Sequence, residues 1–379
     1  MLHVDIATKI VSQDTQIWVV FPGRSRRFLN TFLRRKVIFL ETPGIKLRPS
    51  IANDKLKLRQ HTRMSLAMAE YLRGATKRVP SRNPRTYSDD VFKDRADQVL
   101  ASNVRKMFGK MKVGDLVVVP GKVFEPVYFG EVGADFSADD TIFVERYGDE
   151  PIPCRKVRWL NAGVQRIEIP PYLQGYLSKP PAIARVQRSI DTEEFFRLAY
   201  PSVVLAEKSA VIMDGPLYDG KNPLATHEAN FLVSYFISAF SAIEEEKLEE
   251  FSKLDVKSAI EKFYDPELVQ SFTQNFNSPG KFGLQALSAA LAIFVSAGIA
   301  ISLLNFTVSE LAGGIEVTNS VSAEDAQIAS DAGVKLDYLF NALHKEQIEE
   351  INSLAKKAQE NVGLETPVQV EKIEPGAEP

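Results

Sequence analysis

Five aromatic residues and five arginines form the part of this chain whose types and spacing suit chemistry: Trp18, Phe21, Tyr128, Phe129 and Trp159, with Arg24, Arg26, Arg27, Arg155 and Arg158. Aromatic rings stack on nucleobases, and guanidinium groups meet phosphate oxygens through two parallel hydrogen bonds. Together these residue types imply recognition of DNA or RNA, with a base on the aromatic wall and the backbone on the arginines. Gly130 belongs to the same set, because a position without a side chain lets a ligand backbone come close. Each ring alone also suits a protein core, and strand alternation puts only some of them on one face.

The elements that must carry these residues follow from the hydrophobic pattern. Thr15 to Pro22 reads as a buried strand, and the turn Gly23-Arg24-Ser25 leads to a short helix with Phe28, Phe32 and Leu33 at helical spacing. Val37 to Leu40, Val113 to Pro120, Val127 to Val132, Ile142 to Arg146 and Arg155 to Leu160 read as further strands. Asp54 to Arg73 and Tyr87 to Lys110 have helical period, with Pro80 and Pro84 between them, and Ser189 to Leu198 is a short helix leaving the unit. Beyond Ser202 the texture is mostly helical, with one strand-like run at Ser209 to Met213. Residues 244 to 264 read as an acidic amphipathic helix and Tyr338 to Asn361 as another helical stretch; Asn277-Ser278-Pro279-Gly280 reads as a break and Ser322-Ala323-Glu324-Asp325 as a helix start.

Charge divides the chain. Residues 1 to 112 hold 24 Lys/Arg against 9 Asp/Glu, a balance of +15, which leaves −18 for the rest of a chain of net charge −3. So basic a segment is suited to phosphates, whether of nucleic acid or of anionic lipid head groups.

Other chemistry is poorly served. The single cysteine, Cys154, rules out an internal disulfide and a cysteine zinc site, and the four histidines at 3, 61, 227 and 344 lack ligand spacing. No phosphate-binding Gly-x4-Gly-Lys-Ser/Thr loop, Gly-x-Ser-x-Gly elbow or His-Glu-x-x-His pair is present. The expectation is a protein without catalytic residues, metal or cofactor, the enzymatic alternative resting on Asp214, Asp219, His227 and Glu228.

The order "IWVVFPGRSRRFLNTFL", "VGDLVVVP", "YFGEVGADF", "RKVRWL" over residues 15 to about 185 resembles the EVE/PUA-like amino-terminal module of Mrr-type restriction endonucleases. The resemblance implies a small β-barrel with flanking helices that admits a base swung out of its duplex and so detects modified bases. It puts Arg24, Arg26 and Arg27 where that module has a Gly-Arg pair. The nuclease that follows in those enzymes carries an Asp and a Glu/Gln-x-Lys motif; here Asp214 has no such motif after it, so the nuclease is absent.

Residues 282 to 309 hold no charged side chain and, at about 20 residues for a span, read as a candidate transmembrane helix; the alternative is a buried bundle helix. A second apolar run, Ala229 to Ile243, is short for a span and suits a helical hairpin with the first. Lys253, Lys257, Lys262 and Lys281 precede the apolar run and no Lys or Arg follows before Lys335, which puts the amino-terminal side in the cytoplasm. The amino-terminal residues lack the apolar core of a secretory signal.

The expected organisation is α+β: residues 1–188 a nucleic-acid reader, 189–281 a mostly helical middle, 282–309 the candidate membrane helix, 310–364 a helical region, and 365–379 a disordered tail. The functional expectation is a sensor of modified or foreign nucleic acid in anti-phage defence, acting at a bacterial inner membrane through helices that assemble as a homo-oligomer. The alternative is a cytoplasmic, non-enzymatic nucleic-acid-binding or assembly protein whose apolar helices form a bundle core.

Overall fold

The computed structural model describes residues 1–87, 95–178, 181–275, 280–311, 313–322 and 326–373. It divides into two units, Asp14–Ala199 and a second formed by Met1–Gln13 with Tyr200–Pro379. The expected boundary at residue 188 therefore moves, and the first strands, β1 (Leu2–Asp5) and β2 (Lys9–Val11), belong with the carboxy-terminal unit.

The 14–199 unit is built on one curled sheet of strands β3 (Ile17–Val20), β4 (Val37–Phe39), β5 (Leu116–Pro120), β6 (Val127–Val132), β7 (Thr141–Ile142), β8 (Ile152–Trp159) and β9 (Ile183–Val186). Their order is β4-β8-β6-β5-β3-β9, with β7 on β8. Only β3 and β5 pair in parallel; every other pairing is antiparallel. Strands β3 and β5 are buried along their whole length, which is why they read as continuous β-branched runs rather than as alternating ones.

Helices α1 (Leu29–Arg35), α2 (Pro49–Asn53), α3 (Lys55–Leu72), α4 (Arg95–Arg105), α5 (Pro171–Ser178) and α6 (Glu194–Ala199) complete the unit. Asp54 caps α3 by accepting from the backbone N–H of Leu56 and Lys57, an arrangement worth about 1 kcal/mol. The expected helix from Tyr87 is described only from Arg95, since residues 88–94 lie outside the described residues. Ile142 to Arg146 forms only the short β7 followed by a 3-10 turn at Glu145–Tyr147.

The other unit is less helical than its composition implies. Strands β10 (Ser202–Leu205), β11 (Lys208–Gly215), β12 (Val269–Asn275) and β13 (Gly280–Ala286) join β2 in the order β12-β13-β11-β10-β2. Strands β14 (Ile315–Thr318) and β15 (Gln369–Lys372) flank β1, parallel and antiparallel respectively. The amino-terminal segment is held by reciprocal bonds: Thr8 N–H donates to Asn319 Oδ1 at 3.0 Å and Asn319 Nδ2 to the Thr8 carbonyl at 2.9 Å. The expected disordered tail thus contributes a strand, and residues 374–379 lie outside the described residues, as do 276–279 and 323–325 of the expected break and helix start.

Helices α7 (His227–Glu244), α8 (Leu248–Phe251), α9 (Val256–Phe263), α10 (Leu291–Leu303), α11 (Val308–Leu311), α12 (Ala326–Ala342) and α13 (Lys345–Val362) pack in this unit. The acidic stretch from 244 is therefore not one helix but the end of α7, then α8 and α9, the last capped by Asp255 accepting from Ser258 N–H.

The charge-free run 282–309 corrects the expected membrane helix. Its first residues are β13, where Phe282, Leu284 and Ala286 are buried and alternate with half-buried neighbours, and only Leu291–Leu303, 13 residues, form α10. No described helix is long and apolar enough to cross a membrane. Helix α10 is buried on every side, as a helix at the centre of a core must be. Beside it runs α7, but α8, α9, β12 and β13 lie between the two in the chain, so they pack without forming the expected hairpin, and the fit depends on Gly298: a Cβ there would lie 2.4 Å from Phe236 Cε1. The Phe240 and Phe294 rings meet edge-on at 5.5 Å across the same contact.

Candidate functional site

Two concavities in the 14–199 unit have adjoining linings and draw together part of the expected residue set. The first is a cavity of about 480 Å³, with an apolar floor of Phe21, Phe39, Leu66, Ala69, Leu100 and Ala182. Its rim carries Arg24, Arg26 and Arg73, and its wall carries Glu41 and Tyr147. The volume is in the range of small-molecule pockets, and an apolar cleft with few convergent polar groups is the usual form of a ligand site.

The turn after β3 makes this rim. Gly23 has φ 72°, and a Cβ there would sit 2.7 Å from Phe28 Cδ2 and 3.1 Å from Glu41 Oε1. Ser25 and Arg26 follow with φ 56° and 59°, left-handed geometry that non-glycine residues hold only at a cost of about 1–3 kcal/mol each. Arg26 is fixed there by two contacts: its guanidinium lies 4.6 Å from the centroid of the Phe21 ring, and its Nε donates to the Pro120 carbonyl at 3.2 Å. Burial, and next the neighbouring Arg166, lower the Arg26 pKa from its ordinary value.

The polar group inside the cavity is a pair. Tyr147 Oη donates to Glu41 Oε2 at 2.5 Å, and burial together with this carboxylate pushes the Tyr147 pKa up to about 12. Glu41 has no ion-pair partner among the described residues, and its second oxygen is available to an N–H donor inside the cavity.

The second concavity, about 780 Å³, is a polar groove with Arg27, Arg34, Arg35 and Arg146 along it, together with Glu145 and the side chain of Phe143, which is 60% exposed. Arg26 and Arg27, and likewise Arg146 and Tyr147, are consecutive residues divided between cavity and groove, so the two linings adjoin at these positions. None of the four groove arginines forms an ion pair among the described residues.

The remaining expected residues are placed elsewhere. Trp18 is 1% exposed and its indole Nε1 donates to Asp115 Oδ2 at 2.8 Å, which makes it a core residue rather than a stacking wall. Phe129 is fully buried against Phe195, at a centroid distance of 6.5 Å. Tyr128 is half-buried beside Gly163, and Trp159 is half-buried with Nε1 donating to the Phe32 carbonyl at 3.3 Å. Gly130 answers to packing and not to a ligand: a Cβ there would lie 2.4 Å from Val157 Cγ1 and 2.9 Å from Trp159 Cε3.

Arg155 is not at a rim. It is 2% exposed, and its guanidinium donates to the carbonyls of Met107, Met111 and Ala134 at 3.3, 3.1 and 3.1 Å, while burial lowers its pKa. Arg158 is exposed and bound to Glu131 at 3.3 Å. Thus Phe21, Arg24, Arg26 and Arg27 come together, whereas the β6 and β8 residues do not join them.

Arg34, Arg35, Glu41, Arg73, Phe143, Arg146 and Tyr147 are the site residues outside the expected set. The one available signal was local: Phe143 to Tyr147 mixes exposed aromatic and basic residues at the end of a weak strand. In the other unit, Asp214 exchanges backbone bonds with Glu365, Asp219 binds Lys221, His227 lies against the Phe231 ring at a centroid distance of 5.2 Å and Glu228 binds Asn361. Burial raises the Asp214 pKa and pushes the Cys154 thiol up to about 11, the latter with help from Asp140. Among the described residues, no three His, Cys, Asp or Glu side chains gather as metal ligands. No protein-family model, no curated protein and no solved structure matches this chain.

Proposed function

We propose that the 14–199 unit is a nucleic-acid reader: an unstacked base enters the apolar cavity and the strand's phosphates follow the arginine groove. The observation that carries this reading is the adjacency of the two linings at Arg26–Arg27 and Arg146–Tyr147, which sets an apolar pocket holding one free carboxylate oxygen beside Arg27, Arg34, Arg35 and Arg146. A base brings two flat apolar faces and an edge of donors and acceptors, and a glutamate oxygen suits an amino or imino N–H on that edge. Phosphates bring the charge that unpaired guanidinium groups meet.

The resemblance to the EVE/PUA-like module of Mrr-type enzymes supports the same reading and extends it to modified or foreign nucleic acid in a defence setting. The proposed protein is a non-enzymatic binder whose apolar helices α7 and α10 serve as core. Its membrane-acting arm is not carried forward, because residues 282–309 divide between a strand and a buried helix.

The test is fluorescence anisotropy with single strands differing at one base, including methylated cytosine and adenine, for wild type and Glu41→Gln. Glu41→Gln exchanges an acceptor for a mixed donor and acceptor, so it should change the ratio of affinities between bases by about 1 kcal/mol or more. Absence of any nucleic-acid binding by the wild type at low salt, or unchanged ratios in the variant, would overturn the proposal.

A further inference from the structure

A second basic concavity lies in the same unit, formed by residues that the base cavity does not use. It encloses about 370 Å³ and is lined by Gln16 and Trp18, by Lys106, Lys110, Lys112 and Arg185, and by one acid, Asp14. Three of the cations come from one segment and the fourth from a distant strand. Lys106 and Lys110 bound a π-helical turn that continues α4, Lys112 follows it, and Arg185 stands on β9 directly across from Trp18.

Two buried side chains hold these parts in place. Asp115, 2% exposed, accepts from the backbone N–H of Lys112 at 2.8 Å, the backbone N–H of Gln16 at 2.9 Å and the Trp18 indole at 2.8 Å. One carboxylate thereby ties three of the lining residues together. On the other side Arg155, also 2% exposed, bonds the carbonyls of Met107 and Met111 and so fixes the π-helical turn from within. That turn closes through Met111 N–H to the Lys106 carbonyl at 2.9 Å, one residue wider than an α-helical bond. Such insertions recur at functional positions because they re-aim side chains. Lys106 Nζ also reaches the Ile183 carbonyl at 3.4 Å, which brings it toward the β9 strand that carries Arg185.

The four cations outnumber the one acid, Asp14, in the lining. None of them forms an ion pair among the described residues, whereas Lys156 with Asp140 and Arg158 with Glu131 do so in the same unit. Four like charges around one cavity repel one another, and a rigid scaffold that keeps them there prepares a place for an anion of several charges. At about 370 Å³ the concavity is half the size of the arginine groove, which suits a compact anion better than an extended strand.

We propose that this cavity binds a polyphosphate chain, borne either by a free nucleoside triphosphate or by the 5′-triphosphate end of an RNA. The site does not rest on the base-cavity reading, since the probe that tests it carries no base.

The experiment is calorimetric titration of the full chain with sodium tripolyphosphate at low salt. The comparison is between wild type, Lys110→Glu/Arg185→Glu, and a charge-matched control, Lys46→Glu/Lys77→Glu, at exposed positions outside the cavity. Circular dichroism reports folding, and Lys110→Gln/Arg185→Gln replaces the charge reversal if that variant fails to fold. The expected result is saturable binding that the site variant weakens by more than about tenfold, with the control close to wild type. ATP and a 5′-triphosphorylated RNA, each against its unphosphorylated counterpart, then name the source by which binds tighter. No saturable binding of tripolyphosphate to the wild type, or equal loss in site variant and control, would overturn the proposal. Loss of base discrimination in Glu41→Gln with tripolyphosphate binding intact would leave it standing.

Discussion

Tyr147 and Glu41 share a hydrogen bond of 2.5 Å inside the apolar cavity, and burial, with this bond second to it, keeps the phenol protonated well above its ordinary range. In the unfolded chain Tyr147 would titrate near 10, whereas in the fold it titrates near 12. Between those values the folded state holds a proton that the unfolded state has lost. This contribution is fully present below pH 10 and is lost as the pH rises toward 12. The window corresponds to about 2–3 kcal/mol at most. Urea unfolding of wild type and Tyr147→Phe at both ends of it should show a steeper loss in the wild type; identical slopes would show that the pair is not coupled as described.

Gly23→Ala addresses the rim. The new methyl group meets Phe28 and Glu41 at a residue whose φ is 72°, so both the backbone and the packing oppose it. The expected cost is about 1–3 kcal/mol, read as a lower urea midpoint, with weaker oligonucleotide binding because Glu41 is displaced. A variant as stable as wild type would mean that the turn relaxes without strain.

The contact between Gly298 and Phe236 identifies α10 as a core helix and is open to the same kind of test. Gly298→Ala places a methyl 2.4 Å from Phe236 Cε1 and 2.5 Å from Cδ1, an overlap that the ring must move to relieve. A loss of about 1–3 kcal/mol is expected. Adding Phe236→Leu removes the clashing ring atoms, so the double variant should lose less than the sum of the two single variants. Strict additivity would contradict the packing.

Those three sites also show what the sequence could and could not convey. Val127–Val132 coincides with its expected strand, and Lys55–Leu72 differs by one residue at each end from its expected helix, because period and capping are local signals. The run from 282 to 309 misled because absence of charge marks burial without naming its cause. Within it, Phe282, Leu284 and Ala286 had a period of two, and Leu291–Leu303 is shorter than a membrane span. Glu41 and Tyr147 lie 106 residues apart, and no local pattern announces a pair made only when β4 and β8 come side by side. Trp18 was legible as a large ring on a strand but not as a donor to Asp115, which the parallel pairing of β3 with β5 brings beside it. The strand Ile183–Val186, which completes the sheet beside β3, is too short and too mixed to stand out.

The groove and the cavity should separate in their response to salt. Arg34 and Arg35 are exposed at the end of α1 without ion-pair partners among the described residues, so replacing both with alanine removes charge without disturbing a core. If each meets a phosphate, the slope of log affinity against log salt should become shallower by about 0.7 per arginine on a single strand. That loss is blind to base identity, since phosphates are the same at every position. Glu41→Gln should do the reverse, leaving the salt slope unchanged while altering the order of preference among bases. Anisotropy titrations of both variants across a salt series measure the two quantities independently. A shallower slope in Glu41→Gln, or an altered base order in Arg34→Ala/Arg35→Ala, would show that groove and cavity do not divide phosphate and base between them.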